Sequence, residues 1–401
     1  MKILSLFDGM SCGYLAMLLE GIPIDRYVAC EIDKHAIKTS LHNFPGIEQR
    51  GDVFEADFAE FEGFDWLIGG SPCTYWSIAQ KNNRETEASG LGWELFSQYV
   101  RALKEAKPKW FIYENNKSMS KAIRESITEA FGFEPICINS ALVSAQNRQR
   151  LYWVGRRNED GTYSRVDVPM PEDRGILLKD ILEAEPVRIP EYGVEDKSRP
   201  ISSSYAHKGS GEGSLAYDAF PDNPNKQVFD YASGAAEPIR VGCMPSPDGE
   251  LRNSQAFRVY STEGKSVNLT SGGGGAGGKT GLYAIQVEEP PRCGYATPIE
   301  WDEDGRPIKA VSCADGKVYT VYEVKDGKIT IKGKEYPIKL VDGFYIIRKL
   351  TVGECMRLQT VPEWYEFPVS DSQAYKLLGN GWTIEVIRGL IRAVKNEGRM
   401  E

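Results

Sequence analysis

Through the first 157 residues, apolar strand-length runs alternate with helix-length segments, and that alternation leaves few folds open. KILSLF (2–7), YVACEID (27–33), FDWLIGG (64–70) and KWFIYEN (109–115) read as strands, and ICINSAL (136–142) with RLYWVGRR (150–157) as a closing pair. Between them, YLAMLLEGI, KHAIKTSLHNF, the face marked by Leu95, Phe96, Tyr99, Val100 and Leu103, and SKAIRESITEAF carry helical periodicity. Strands separated in this way imply an α/β fold with a mainly parallel sheet and helices on both faces. Sheets of that kind bind ligands in loops at the carboxyl ends of their strands. The unusual loops DGMSCG, EID, GGSPC and ENN each fall at such an end.

The character changes near residue 160. Residues 197–237 are polar and read as loop, and from 256 onward short β segments follow: FRVYS, SVNLTS, GLYAIQV, VYTVYEV, KITIKG, YPIKLV and FYIIR. "DG" turns at 315–316 and 326–327 separate some of them. Helical signals return in TVGECMRLQ and TIEVIRGLIRAVKNE. At 401 residues the chain exceeds a usual single core, so a second, β-rich domain is expected. Its 41% hydrophobic content is globular, and neither a signal-peptide run nor a membrane-length apolar stretch is evident. Eight cysteines without a C-x-x-C pair argue against a zinc ribbon or disulfide framework and suit a reducing cytoplasm. Three histidines make a histidine metal site or general base unpromising, so no metal is expected. The net charge of −9 does not mark a polyanion binder, but QNRQRLYWVGRR has four arginines and no acid, and a basic groove can sit on an acidic protein.

Individual positions then suggest chemistry. Gly9 and Gly13 let backbone approach a ligand closely, yet the turn departs from G-x-G-x-x-G, which argues against phosphate. Glu31 ends the second strand, where an acid can accept ribose hydroxyls, and Asp52 ends the third position of this kind. A nucleoside-bearing ligand without bound pyrophosphate is the expectation. Cys73 follows Pro72 at a strand's carboxyl end, where a thiolate can attack an electrophilic carbon. Cys12, Cys30, Cys137 and Cys355 sit in apolar or helical runs and read as packing residues. Glu114 is a strand-end acid or proton donor, and Arg148 and Arg150 could hold an anion or a carbonyl oxygen. GGGAGGKT (273–280) fits the phosphate-loop pattern, but a strand-like segment follows it where a helix is required, so nucleotide hydrolysis is set aside.

Taken in order, the motifs resemble those of the DNA cytosine-5 methyltransferase family. LSLFDGMSCG resembles its cofactor loop, CEID its acidic strand end, GGSPCTYWS its Pro-Cys nucleophile loop, ENN its glutamate motif and QNRQR its Q-x-R-x-R motif. RKLTVGECMRLQTVP and LGNGWTIEVI resemble the ninth and tenth motifs, so the likeness covers 1–157 and 347–396. The wording is closest to the eukaryotic de novo branch, without its chromatin-reading modules. The resemblance implies a Rossmann-like fold, a discontinuous catalytic domain (1–165 and 370–401) and a target-recognition domain (166–369). It implies S-adenosylmethionine held by Phe7, Asp8, Gly9, Glu31, Ile32, Asp52, Val53, Asn380 and Trp382. It also implies Cys73 adding to cytosine C6, protonated Glu114 binding N3 and the exocyclic amine, Arg148 binding O2 and Arg150 nearby. The implied partner is double-stranded DNA with its target base flipped, read by a monomeric stand-alone enzyme of a bacterial or phage-infected cell, with a cognate restriction endonuclease as a candidate companion. Departures are Asn116 in place of an apolar residue after Glu114, and Ser11 and Cys12 where many members carry glycines. The alternatives are the same chemistry on RNA, transfer of another C5 substituent from a modified sulfonium, and a non-catalytic DNA-binding relative. The first is disfavoured by the missing Cys-Phe-Thr signature, the last by retention of the cysteine, glutamate and arginines.

Overall fold

The computed structural model describes residues 1–77, 84–183, 236–272, 276–287 and 294–397, with the Cys73 side chain outside that set. The polar stretch 197–235, Cys293 and part of the glycine run expected to be loops therefore lie outside the described residues.

The amino-terminal alternation builds one sheet from β1 (Lys2–Leu6), β2 (Arg26–Cys30), β3 (Glu48–Gln49), β4 (Trp66–Gly69), β5 (Trp110–Asn116), β6 (Ile136–Asn139), β7 (Gln149–Arg157) and β8 (Tyr163–Arg165). The strand order is β3-β2-β1-β4-β5-β7-β6, with β8 on β7. Strands β1 to β5 pair in parallel, and β7 runs antiparallel to both of its neighbours β5 and β6. Ile3, Leu4, Leu6, Leu67 and Ile68 are all buried, which is why these strands are continuous apolar runs rather than alternating ones. Helices α1 (Cys12–Leu19), α2 (Lys34–Asn43), α3 (Gly90–Ala106) and α4 (Lys121–Phe131) are the crossovers. Helix α4 starts where Ser120 Oγ accepts from Ile123 N at 3.2 Å, and stops at Gly132, whose φ is +83°. Because β1 lies between β2 and β4, the chain leaves it toward one side and later returns on the other. The loops after β1 and β4 thus part at a topological switch point and open a crevice.

The later region forms β9 (Arg240–Cys243), β10 (Arg258–Ser261), β11 (Leu282–Gln286), β12 (Ala296–Trp301), β13 (Pro307–Ser312), β14 (Val318–Thr320), β15 (Tyr322–Lys325), β16 (Lys328–Ile331), β17 (Lys334–Pro337) and β18 (Gly343–Arg348). They make a seven-stranded sheet ordered β17-β16-β15-β18-β11-β10-β9 and a three-stranded sheet β12-β13-β14. Two expectations change. VYTVYEV is one run in sequence, yet β14 pairs with β13 while β15 pairs with β16 and β18, so the chain changes sheets at Val321. SVNLTS is no strand: Ser266 makes an isolated bridge to Gln146, and its carbonyl accepts from Asn147 N at 3.0 Å. The backbone bonds of Ser266 are taken by the segment 145–147 that leads into β7. GGKT runs into β11, a strand, as its sequence suggested.

After β18 come α5 (Val352–Leu358), α6 (Asp371–Asn380), which its sequence did not announce, and α7 (Ile384–Glu397), which packs on α1. Helix α5 opens with a Thr351–Glu354 capping box. Glu354 also takes both guanidinium nitrogens of Arg348 at 2.7 Å, with the two side chains 0% and 1% exposed. This pair welds β18 to the helix that follows. Truncating one partner leaves a buried charge uncompensated, so Glu354→Ala should lower the unfolding free energy by about 3–5 kcal/mol in urea titration.

Candidate active site

The first loop is shaped by a buried carboxylate. Asp8 accepts from Ser5 Oγ at 2.6 Å, Ser11 Oγ at 2.5 Å and Tyr27 OH at 2.6 Å. Burial pushes its carboxyl up to about 6, against three hydroxyl donors that pull it down. Phe7, Gly9 and Ser11 all adopt positive φ, and Ser11, where many family members carry glycine, also bonds Ser40 Oγ at 2.5 Å. Gly13, expected to let backbone approach a ligand, instead sits within α1, and its hydrogen faces β4: a methyl there would stand 2.2 Å from Ile68 Cδ1. Glu31 ties the loops of β1 and β2 together, accepting from Gly9 N at 2.7 Å and from Ile32 N and Asp33 N at 2.8 Å. Ile32 is 73% exposed beside it, an apolar side chain left uncovered at a strand's carboxyl end. Asp52 caps its own turn through Phe54 N at 3.0 Å, while the Val53 carbonyl accepts from Arg101 Nη2 at 2.8 Å. So Asp8, expected among the cofactor contacts, points inward and props the loop from below.

The second loop, Gly69 to Cys73, is pressed between strand ends. A methyl on Gly69 would lie 2.5 Å from Leu6 O, and one on Gly70 would lie 2.8 Å from Glu114 O and 2.9 Å from Glu114 Oε2. The two glycines are therefore required by close backbone approach rather than by φ. Asn115 pins this loop, donating to Ser71 O at 3.1 Å, while Ser71 Oγ meets Tyr113 OH at 2.6 Å. Cys73 opens the 3-10 turn Cys73–Tyr75, and its side chain lies outside the described atoms. Beyond it the buried Trp76 donates to Glu85 Oε2 at 3.0 Å. Burial pushes the thiols of Cys12 and Cys30 up to about 12 and that of Cys355 well above its ordinary range, so these remain protonated packing groups.

Glu114 sits where the two loops meet β5. Its Oε1 lies 3.0 Å from Arg150 Nε, and its Oε2 accepts from Trp382 Nε1 at 2.9 Å. Register explains the first contact: Arg150 pairs with Asn116, two residues from Glu114 on the same face. Arg148 precedes β7 and is directed elsewhere. Its guanidinium donates to Asn268 Oδ1 at 3.0 Å, Gly379 O at 3.2 Å and Gly381 O at 2.8 Å, which fixes the turn between α6 and α7. Arg150 thus stands beside the acid, while the guanidinium of Arg148, expected near O2 of the target base, is engaged with the turn between α6 and α7. Trp382 carries its indole into the cleft and its backbone N–H onto Cys12 Sγ at 3.4 Å, while Asn380 is exposed at the end of α6. Asn116 is buried and satisfied, bonded to Asn115 Oδ1 at 3.2 Å and Ser118 Oγ at 2.7 Å. Among the described residues, no group of three or more His, Cys, Asp or Glu could hold a metal, and no helix is long and apolar enough to cross a membrane.

A left-handed loop open above Gly9, a strand-end acid and a bare isoleucine fit a nucleoside rather than a phosphate, and this set lies beside a carboxyl, an arginine and a cysteine-bearing loop. The model of the C-5 cytosine-specific DNA methylases matches residues 1–396. The chain belongs to that family. As a C-5 cytosine-specific DNA methylase it is a DNA cytosine methyltransferase that uses S-adenosylmethionine. Similar proteins include the orphan methyltransferase M.SPRI of Bacillus phage SPR, 27% identical with 98% of this chain and 97% of that protein covered. The type II methyltransferase M.HgiCI of Herpetosiphon aurantiacus is 25% identical, with 98% and 97% covered. In fold the chain is similar to a DNMT2 mutant from Spodoptera frugiperda (TM-score 0.54, 17% identity, 98% and 99% covered) and to Dnmt2 methyltransferase of S. pombe (TM-score 0.51, 14% identity, 98% of each chain).

Several supporting residues escaped sequence reading. Ser5, Ser11 and Tyr27 converge on Asp8, and Gln359 bonds Leu378 O at 2.6 Å and Thr383 Oγ1 at 2.7 Å beneath the Trp382 turn. Hydroxyls inside apolar strands mark Ser5 and Tyr27, whereas Ser11 stands before α1 and Gln359 within the segment RKLTVGECMRLQTVP, where no local pattern names a partner.

Gly70→Ala should displace Glu114, lowering methyl transfer at least tenfold while unfolding free energy falls by about 1–3 kcal/mol; radiolabelled methyl incorporation and denaturant titration read the two effects. Asp8 binds its proton more tightly folded than unfolded. Its contribution to stability therefore declines as pH rises from about 4 to about 6 and is level above that. Asp8→Asn lacks that titration, so the variant should gain on the parent by up to about 3 kcal/mol across that window and by nothing beyond it. A stability gap that stays constant from pH 4 to 6 would contradict the assignment.

Proposed function

We propose that the enzyme methylates C5 of a cytosine swung out of double-stranded DNA, through transient bonding of Cys73 to the ring. Cytosine C5 is too electron-poor to take a methyl group unaided. Addition of the Cys73 thiolate at C6 makes C5 enamine-like and nucleophilic. S-adenosylmethionine, when bound, supplies an electrophilic methyl group. Loss of the C5 proton to a base then lets the C6–sulfur bond break, returning the thiol and releasing 5-methylcytosine.

The observation that carries this reading is the junction at Glu114. The glycine loop leading to Cys73 lies against its carboxyl, and Arg150 and Trp382 each take one of its oxygens. A carboxyl has about four lone-pair positions, so one on each oxygen remains for the Watson–Crick edge of a pyrimidine. Glu114 binds that edge when protonated, and Arg150 balances charge beside it. Phe7, Gly9, Glu31, Ile32, Asp52 and Val53 form the cofactor side, with Asn380 and Trp382 at the rim and Asp8 supporting from beneath. Residues 1–165 and 370–401 serve catalysis, and 166–369 recognise the target. Extruding the base costs a few kcal/mol that contacts from the recognition region offset. We read the enzyme as a cytoplasmic monomer, acting alone as orphan relatives are named, or beside a cognate endonuclease in the manner of the type II ones.

Cys73→Ser should abolish methyl transfer and leave DNA affinity within a few-fold of the parent. DNA carrying 5-fluorocytosine at the target, whose site bisulfite sequencing of expressing cells would reveal, should trap a covalent adduct on denaturing gels, because fluorine cannot leave as the proton does. Turnover without such an adduct would refute the covalent step.

A further inference from the structure

Sequence resemblance places Trp382 among the cofactor contacts, yet its one polar atom is spent on the acid. The indole N–H donates to Glu114 Oε2 at 2.9 Å, across 268 residues of chain. The turn that carries it is held at several points. Arg148 takes the carbonyls of Gly379 and Gly381, Gln359 takes that of Leu378, and Thr383 bonds both Gln359 and Ser140 Oγ at 2.7 and 2.8 Å. Gly379 packs so closely on the Thr270–Ser271 backbone that a methyl there would lie 2.5 Å from Thr270 C. Arg148 also reaches Asn268 on that same segment. The indole is therefore delivered from a rigid turn rather than a loose tail.

We propose that Trp382 is a positioning residue for the catalytic acid: its N–H and the Arg150 Nε grip opposite oxygens of Glu114 and hold the carboxyl in the plane that meets the target base. Arg150 alone leaves the carboxyl free to rotate about its terminal bond, a torsion with a broad, soft minimum. A second donor on the other oxygen removes that freedom. The segment around Asn268 and Thr270 buttresses the turn from the recognition side, so three separate regions set the orientation of one carboxyl. The inference rests on Glu114 being the group that reads the base.

The test uses the full-length enzyme and Trp382→Phe, which keeps an aromatic ring and deletes the donor; benzothienylalanine at 382 keeps the bicyclic shape and serves if the smaller ring disturbs folding. The first readout needs no cofactor. Thiolate addition at C6 lets C5 take a proton from water and lose its own, so DNA with tritium at cytosine C5 releases it to solvent as the sulfur departs. Loss of a hydrogen bond to the neutral acid should slow that cofactor-free release about three- to tenfold. The second readout is the preference in binding for a mismatched target cytosine over an abasic site. Trp382→Phe should reduce that preference in the parent and change it less than threefold in a Glu114→Gln background, the signature of two groups acting through one contact. Equal losses in both backgrounds, or tritium release at the parent rate, would overturn the proposal. Parent enzyme that neither releases tritium nor forms 5-methylcytosine would instead overturn the covalent reading on which it stands.

Discussion

The carboxyl of Glu114 is where distant parts of the chain must meet, and the architecture around it follows from that requirement. It stands near the end of β5, under a glycine that tolerates no side chain, between an arginine from the antiparallel β7 and an indole from the turn before α7. A partly buried acid needs hydrogen-bond partners, since an unsatisfied charged group in such a place costs several kcal/mol. Here the partners come from three elements, and each is itself anchored. Asn115 holds the glycine loop to the strand end, antiparallel register places Arg150, and Arg148 with Gln359 secures the turn of Trp382.

The cofactor side obeys the same logic with different chemistry. Asp8 is buried and accepts three hydroxyls beneath a tight loop in which Phe7, Gly9 and Ser11 have positive φ. Glu31 then binds three backbone amides from the loops of β1 and β2, holding both rims of the crevice at fixed separation. The departures from the family's glycine pattern are compatible with this arrangement. Ser11 adopts the left-handed conformation and adds hydroxyl contacts, and Cys12 packs against the Trp382 turn. Neither substitution intrudes on the acid or on the glycine loop.

The β-rich region is joined to the first sheet and its connections by polar contacts as well as by packing. Lys265, buried, donates to the carbonyls of Ala141 and Ser144 on one side and Ile176 on the other, with the first two at 2.7 and 3.0 Å. Asn147 N meets Ser266 O, and Arg148 meets Asn268. The segment expected to be a strand of the second sheet thus packs against the connection between β6 and β7. That exchange was invisible in sequence, because SVNLTS alternates as a strand would whatever segment takes its backbone bonds.

What the sequence determined was local and periodic: the parallel sheet, its crossovers, and the loops at strand ends that carry Gly9, Glu31, Cys73 and Glu114. Buried parallel strands must be continuously apolar, and tight loops at their ends must use glycine, so both leave a mark in the order of residues. What only the tertiary structure decided was partnership. Arg148 stands just before β7 and Arg150 within it, and it took the register with β5 and the arrival of the 379–382 turn to set Arg150 against Glu114 and Arg148 on that turn. Asp8 looked like a ligand contact until Ser5, Ser11 and Tyr27 were brought around it. The run from Val318 to Lys325 is one strand by pattern and two by pairing. In each case periodicity states which way a side chain leaves the backbone, and the neighbour it finds there is chosen by contacts far away along the chain.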